Sequence, residues 1–368
     1  MNDATMNPSR ILIMAGGTGG HVFPALAVAE QLREKGVEIF WLGTQRGLES
    51  RVVPNASIKL FTLPISGLRG NGALGWLLAP LRITIAVVIA VRVLLACRAQ
   101  VVLGMGGFVT GPGGVAAWLL RRPLVIHEQN AIAGLTNKLL ARFASCVIEA
   151  FPGAFKQRFN AKQTGNPVRA DIAAVVEPVQ RYDINSQPLK VLVIGGSLGA
   201  KVLNDVVPEA IAKFSSEHCP TVKHQCGKLG LEAAVENYKK NNVDAEVNAF
   251  IDNMAEAYAW ADVVICRAGA LTIAELAAVG VASVLIPLPH AVDDHQTANA
   301  RYLEQCGGAV LLPQSAFNAE TLHALLEDYS SQPQQLLAMA QAARLQSKPN
   351  ATEDVTELCM QAMQGVCS

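Results

Sequence analysis

Twice along this chain a short apolar strand breaks into a glycine loop, and the loop opens a helix. The first instance is Ile11-Leu12-Ile13-Met14-Ala15 followed by Gly16-Gly17-Thr18-Gly19-Gly20-His21. The second is Lys190–Ile194 followed by Gly195-Gly196-Ser197-Leu198-Gly199-Ala200. A buried strand that turns through glycine into a helix begins a β-α-β unit. A chain that does so twice is constrained to two similar α/β domains in tandem. After the first loop a helical pattern runs from Pro24 to Lys35 and closes at Gly36, and Val37 to Leu42 is the next strand. Further strands are expected at Ile58–Leu63, Val101–Leu103, Leu124–His127 and Cys146–Ala150. After the second loop they are expected at Thr221–Cys226, Glu246–Phe250, Asp262–Cys266 and Ser283–Pro287. Strands alternating with helices predict mostly parallel, doubly wound sheets. Val175 to Pro188, polar and with two prolines, reads as an exposed connection.

The length of 368 residues suits two or three domains. With 51% hydrophobic and 16% charged residues the chain is globular rather than disordered. Thirty basic residues balance thirty acidic ones, which argues against a general nucleic-acid binder. The balance conceals a split. Between residues 60 and 145 stand Arg69, Arg82, Arg92, Arg98, Arg121, Arg122, Lys138 and Arg142 against the single acid Glu128. Such a segment suits an anionic lipid surface or a phosphorylated ligand, and equally an ordinary solvated face. Within it, Ala73 to Cys97 is apolar enough to raise the question of a membrane span. Arg82, Arg92 and Pro80 interrupt the run, and it lies between two strands, so a crossover helix with an apolar outer face is expected. Eight cysteines form no CxxC pair and no zinc spacing, and residues 1–10 lack a signal-peptide apolar stretch. Both fit a reducing, cytoplasmic setting.

In open α/β sheets ligands bind at the carboxyl ends of strands. Two such domains facing each other would bring both glycine loops to one cleft. The loop Gly16–Gly20 offers close backbone approach and the free N–H groups of a helix start, so it reads as a phosphate site or as a plain tight turn. A dinucleotide fingerprint fits badly. Val22 stands where a third small residue belongs, and Thr44-Gln45-Arg46 follows the second strand instead of an acid, although Arg46 would suit a 2′-phosphate. Neither loop carries a Walker lysine. Gly104 to Gly114 holds six glycines in eleven residues and reads as a loop that wraps a ligand, or as a surface loop.

His127-Glu128-Gln129-Asn130 ends a strand with four polar side chains, which are ligand contacts or a hydrogen-bonded corner. Cys266 to Glu275 places small residues before a helix. Its N–H groups at Ala270–Thr272 would hold a diphosphate, and Glu275 is a ribose ligand or a solvated helix residue. His290, Asp293, Asp294 and His295 invite a metal reading that no further cluster supports, so Gln296 is read as a sugar contact. His21 is the best base candidate, because the field at a helix start disfavours imidazolium; a helix cap is the alternative.

Taken in order, GGTGGHVFPALAVA (16–29), ISGLRG (65–70), GMGGFVTGPGG (104–114), HEQNAIAGLTNK (127–138), TGNPVR (164–169), GGSLGA (195–200), Phe250-Ile251-Asp252, CRAGALTIAEL (266–276) and DDHQTANA (293–300) resemble the MurG family of peptidoglycan N-acetylglucosaminyltransferases. The likeness runs from residue 10 to beyond 300. It implies an α/β GT-B fold, two Rossmann-like doubly wound parallel-sheet domains facing across a cleft. The domains would be 1–168 with a C-terminal helix in 344–368, and 169–343. The returning helix would fall within Leu336–Cys367.

The implied reaction is inverting transfer of GlcNAc from UDP-GlcNAc to the C4 hydroxyl of MurNAc-pentapeptide on undecaprenyl diphosphate (lipid I to lipid II). It needs no cofactor and no obligatory metal. By the same resemblance His21 is the catalytic base, and Thr18, Gly19 and Gly20 line the junction of donor and acceptor. Arg169 and Ser197 contact the nucleotide, and the Ile251 backbone reads uracil. Ala270, Leu271, Thr272, Ile273, Ala274 and Glu275 hold diphosphate and ribose, and Asn130 and Gln296 contact the GlcNAc. Two departures stand out. Leu198 replaces a frequent Gln, which removes a side-chain contact, and Ala131 replaces a Gly.

The implied place is the cytoplasmic face of the inner membrane, peripheral and without a span, among proteins of cell-wall synthesis, cell shape and cell division. The docking patch is expected from Leu74, Trp76, Leu77, Leu81 and Trp118 beside Arg69, Arg82 and Arg121. The alternatives are a UDP-GlcNAc 2-epimerase and a GT-B transferase with another lipid acceptor.

Overall fold

The computed structural model describes residues 8–65, 73–183, 188–196, 199–289 and 294–366, apart from the side chains of 73–77. It divides into two compact units, Met1–Arg169 with Asn350–Ser368, and Ala170–Pro349.

Unit 1 holds seven parallel strands: β1 (Arg10–Ala15), β2 (Glu38–Thr44), β3 (Lys59–Leu63), β4 (Val101–Gly106), β5 (Leu124–Glu128), β6 (Cys146–Glu149) and β7 (Lys162–Gln163). Their order is β3-β2-β1-β4-β5-β6-β7. Successive side chains of β1 take opposite faces. Ile11, Ile13 and Ala15 join the helices Gly19–Glu34 and Ala351–Met363 in one core, and Leu12 and Met14 join the helices Ala73–Cys97 and Thr110–Leu119 in the other. Cover on both faces is why the strands read as unbroken apolar runs. Unit 2 repeats the plan with β8 (Lys190–Ile194), β9 (Thr221–Gln225), β10 (Glu246–Asn248), β11 (Val263–Cys266), β12 (Ala282–Leu285) and β13 (Ala309–Leu311), in the order β10-β9-β8-β11-β12-β13. In each sheet the order reverses beside the first strand, between β1 and β4 and between β8 and β11. The loops there diverge and open a crevice for ligand.

Four details differ from the sequence expectations. The short strands β7 and β13 carry too few residues for a periodic signal. The first helix starts at Gly19 rather than Pro24, so Pro24 lies inside it and His21 in its first turn. The stretch Gly104–Gly114 is mostly not a loop: β4 runs to Gly106, and a helix starts at Thr110. Its glycines serve close packing, since a Cβ at Gly113 would lie 2.1 Å from Met14 Sδ and one at Gly114 2.7 Å from Leu140 Cδ2. In place of one returning helix the described residues form two, Pro333–Arg344 and Ala351–Met363, broken before Asn350 where Pro349 withholds a donor.

By length and composition Leu78–Cys97 would cross a membrane. Its residues Ala86, Ala90, Val93, Leu94 and Cys97 instead lie in the core of unit 1. The helix joins β3 to β4 of one parallel sheet, as a crossover helix must. Its other face exposes Leu81, Ile85 and Val88.

Candidate active site

The loop after β1 is held from below by a carboxylate. Glu49, fully buried, accepts the Gly17 N–H at 2.9 Å on Oε2, and both the N–H and the hydroxyl of Thr44 at 2.7 Å on Oε1. A dinucleotide site needs an acid near the end of β2 to meet a ribose; here the acid is spent on the protein's own loop. Gly17 takes the left-handed region at φ +96°, which glycine alone adopts without strain. Thr18 precedes the helix in extended conformation, and its side chain makes no cap. The first N–H groups of that helix, at Gly19 and Gly20, have no partner within it and favour an anionic or oxygen ligand.

The loops after β4 and β5 meet His21. Its Nδ1 lies 3.1 Å from Gln129 Oε1. Gly106 presses on the ring so closely that a Cβ would lie 2.6 Å from Nδ1. Thr110 pins Gly106, its Oγ1 donating to the Gly106 carbonyl at 2.8 Å.

Two other groups able to take a proton, Glu128 and His127, are already engaged. Glu128 is buried and accepts four hydrogen bonds, from Asn130 N at 3.0 Å, Asn130 Nδ2 at 3.1 Å, Gly134 N at 3.0 Å and Asn137 Nδ2 at 2.9 Å. It shapes the loop and has no lone pair to spare. His127 is fully buried, with Nε2 2.9 Å from the Gly165 carbonyl, and burial pulls its pKa down to about 4. His21 Nε2 has no hydrogen-bond partner among the described residues. The segment Thr164–Arg169 buttresses this corner through Gly165 and through Asn166 Nδ2, which donates to the Gln129 carbonyl at 3.0 Å. Arg169 stands over the Phe23 ring, its guanidinium carbon 5.7 Å from the centroid. Unit 1 thus brings Thr18, Gly19, Gly20, His21, Asn130 and Arg169 into one neighbourhood.

In unit 2 the helix Ala270–Val279 follows β11 with Gly269 extended before it and no side-chain cap. The N–H groups of Ala270, Leu271 and Thr272 lie in its first turn, followed by Ile273 and Ala274. Glu275 is not a solvated helix residue. It is buried, and Tyr258 donates its hydroxyl to Oε2 at 3.0 Å. Burial pushes the neighbouring Cys266 thiol up to about 12, the Glu275 charge adding to it, so this cysteine is a neutral apolar residue.

The polar residues around this helix tie loops together. Gln296 Oε1 accepts the Leu288 N–H at 2.9 Å, and Asn299 Nδ2 donates to the Ala268 carbonyl at 3.2 Å. Arg267 donates to the carbonyls of Ile286 at 3.1 Å and Pro287 at 3.2 Å. Gln225, at the end of β9, joins the second glycine loop to the Ile251 segment. It accepts from Gly196 N at 3.0 Å and donates to the carbonyls of Gly196 at 3.0 Å and Ala249 at 2.9 Å.

Sequence reasoning missed Glu49, Gln225 and Thr110. The only signal for the first is the crowd of small residues around it: a Cβ at Gly43 or Gly47 would lie 2.6 Å or 2.1 Å from its side chain. Ser197, Leu198, His290, Asp293 and Arg69 fall outside the described residues, as do the side chains of Leu74, Trp76 and Leu77. Among the described residues no three His, Cys, Asp or Glu side chains gather as a metal site would require.

The glycosyltransferase family 28 N-terminal domain matches residues 11–149, and the family's C-terminal domain matches residues 190–355. The chain is 52% identical over 356 residues to a protein of Marinobacter nauticus, covering 97% of this chain and 98% of that one. It is 53% identical over 351 residues to one of Alkalilimnicola ehrlichii, covering 95% and 98%. Both are named UDP-N-acetylglucosamine–N-acetylmuramyl-(pentapeptide) pyrophosphoryl-undecaprenol N-acetylglucosamine transferase. The crystal structure of Acinetobacter baumannii MurG is similar at TM-score 0.82 and 42% identity, covering 96% of this chain and all of that one. A UDP-N-acetylglucosamine 2-epimerase aligns at TM-score 0.64 and 15% identity over 98% of this chain and 97% of that one, a likeness of fold alone.

Proposed function

The chain belongs to glycosyltransferase family 28, and on that premise we propose that it is a MurG-type N-acetylglucosaminyltransferase. It moves GlcNAc from UDP-GlcNAc to the C4 hydroxyl of MurNAc-pentapeptide on undecaprenyl diphosphate, with inversion. The observation that carries the acceptor class is identity of about half over nearly the whole chain to transferases with that acceptor in their names. The shared fold of the epimerase does not compete with it.

In this reading unit 1 supplies the base together with Asn130 and Arg169, and unit 2 supplies the other donor-binding groups. His21 Nε2 takes the proton of the acceptor hydroxyl as its oxygen attacks the anomeric carbon. The bond from that carbon to the diphosphate breaks, and UDP leaves with the electron pair. The N-terminus of the helix Ala270–Val279 stabilises the charge that gathers on the diphosphate. Glu275, already fixed by Tyr258, accepts from the ribose hydroxyls. Arg169 and Ser197 hold the nucleotide, the Ile251 backbone reads uracil, and Asn130 and Gln296 take the sugar. Thr18, Gly19 and Gly20 line the approach of the acceptor.

The acceptor of this reaction is a lipid, so the enzyme must meet it at a membrane surface. The helices Ala73–Cys97, Thr110–Leu119 and Leu135–Leu140 expose Leu81, Ile85, Val88, Trp118, Leu119, Leu135 and Leu139. Arg82, Arg92, Arg121, Arg122, Lys138 and Arg142 belong to the same stretch of chain. Apolar side chains among cations suit the cytoplasmic face of an anionic membrane, on which the protein would dock without spanning it.

The deciding experiment is a transfer assay with labelled UDP-GlcNAc and a short-chain lipid I analogue in EDTA, products identified by mass. A disaccharide-lipid product is expected. Donor binding with no label on the lipid would overturn the acceptor assignment.

A further inference from the structure

A line of hydrogen bonds runs from His21 through Gln129 and His127 to a backbone carbonyl, and the carbonyl fixes the direction of every proton in it. His127 Nε2 lies 2.9 Å from the Gly165 oxygen. A carbonyl only accepts, so this nitrogen carries the proton. Full burial keeps the ring neutral, its pKa drawn down to about 4, so His127 Nδ1 is a lone pair. Gln129 Nε2, 3.2 Å from that Nδ1, donates to it. The opposite amide orientation would set two acceptors face to face in a buried place. Gln129 Oε1 therefore faces His21, 3.1 Å from Nδ1. An amide oxygen only accepts, so the proton of His21 sits on Nδ1 and the lone pair on Nε2. The other tautomer is the one an imidazole side chain favours in water; here the hydrogen bond at one nitrogen selects the state of the other.

The line is braced along its length. Asn166 Nδ2 donates to the Gln129 carbonyl at 3.0 Å, and Asn137 Nδ2 to the His127 carbonyl at 3.3 Å. Gly106, without a side chain, lets the His21 ring lie against β4.

We propose that Gln129 is a positioning residue for glycosyl transfer: backed by His127 and the Gly165 carbonyl, it holds His21 as the Nδ1–H tautomer and so presents Nε2 as the proton acceptor. This rests on the reading of His21 as the base. When Nε2 takes the acceptor proton the ring becomes imidazolium, and its Nδ1–H bond to Gln129 becomes charge-assisted. No proton leaves toward Gln129, which stays a neutral amide.

Nitrogen NMR of the full-length chain carrying 15N-histidine reads the tautomer directly, with the His21 signals assigned by their loss in His21→Gln. Expected are a pyrrole-type Nδ1 and a pyridine-type Nε2. A pyrrole-type Nε2 on His21 overturns the proposal with no positioning variant needed. Gln129→Met removes the acceptor. It is expected to shift His21 toward Nε2–H and to lower kcat about tenfold, below the full worth of a general base, with the Kd for UDP-GlcNAc unchanged. Gln129→Glu keeps an acceptor toward His21 and, with its other oxygen protonated, a donor toward the His127 Nδ1; in that protonated state it is expected to restore the Nδ1–H signal and most of kcat. Wild-type tautomer and kcat in Gln129→Met would also overturn it. A fully active His21→Ala beside a tautomer shift in Gln129→Met would remove the base reading itself, while the direction of the hydrogen bonds stands.

Discussion

Glu49 Oε2 receives the N–H of Gly17 at 2.9 Å, so the loop that begins the site hangs on a carboxylate that opens the helix Glu49–Asn55, five residues beyond β2. Replacing Glu49 with Ala leaves the N–H groups of Gly17 and Thr44 and the Thr44 hydroxyl without this acceptor. The expected loss is about 2–4 kcal/mol of unfolding free energy, read from urea denaturation. Glu49→Gln keeps one oxygen and should lose about 1–2 kcal/mol. Equal stability of all three proteins would mean that the loop does not depend on this anchor.

His21→Ala is expected to lower kcat by about 10²–10⁴-fold, the range for a removed general base, with donor affinity kept. A change confined to KM would place His21 in binding instead.

Tyr258 spends its hydroxyl on Glu275 at 3.0 Å. Tyr258→Phe removes this hydrogen bond to the carboxylate, and UDP-GlcNAc should bind about 2- to 10-fold more weakly, the worth of one hydrogen bond. Glu275→Ala should lose more, through the ribose and through the Tyr258 hydroxyl left behind. Calorimetric titration with UDP and with uracil alone separates the two effects, because uracil lacks the ribose and should bind all variants alike.

His127 and His224 are both buried as neutral rings, with pKa values lowered to about 4 from the ordinary 6.5. Between those values the unfolded chain binds protons that the folded chain refuses. Their contribution is therefore fully present above pH 6.5 and is lost as the pH falls toward 4, on the order of 2–3 kcal/mol for each ring. Urea midpoints measured from pH 7 to 5.5 should fall, and His224→Phe should flatten the slope. A stability that rises on acidification over this window would contradict the burial of both rings.

Leu81 and Trp118 are 59% and 56% exposed. Leu81→Glu with Trp118→Glu should abolish co-flotation with anionic vesicles, while kcat on a water-soluble short-chain acceptor stays as in the wild type. Unchanged flotation would move the docking surface elsewhere.

The sequence carries the sheets well and the hydrogen bonds poorly, for physical reasons. Strands covered on both faces must be runs such as Val101-Val102-Leu103, and a loop at a switch point must be small, so both leave marks in composition. The glycines from 104 to 114 show the limit, because glycine serves a ligand loop and a tight helix contact alike, and only the distance to Met14 or Leu140 tells them apart. Glu128 and Gln129 are neighbours of equal polarity. One is saturated by four donors and the other reaches His21, and that difference lies in which partners the fold brings near. The sequence leaves Glu275 as either a ribose ligand or a solvated helix residue, and only its burial under Tyr258, from a separate helix, removes the second reading.

The helix Ala351–Met363 places Val355, Leu358, Cys359 and Ala362 in the core of unit 1, and Thr356 donates to Gln31 at 2.9 Å. Unit 1 is therefore a discontinuous body, with all of unit 2 inserted before its last helix. During synthesis unit 2 has its whole sequence before unit 1 does, although every strand of the first sheet is made earlier. Until residues near 360 emerge, the face of the helix Gly19–Glu34 that will receive them stays open to water. A chain truncated after residue 349 is expected to hold a finished unit 2 and an unfinished unit 1, the reverse of the order in which their strands were made.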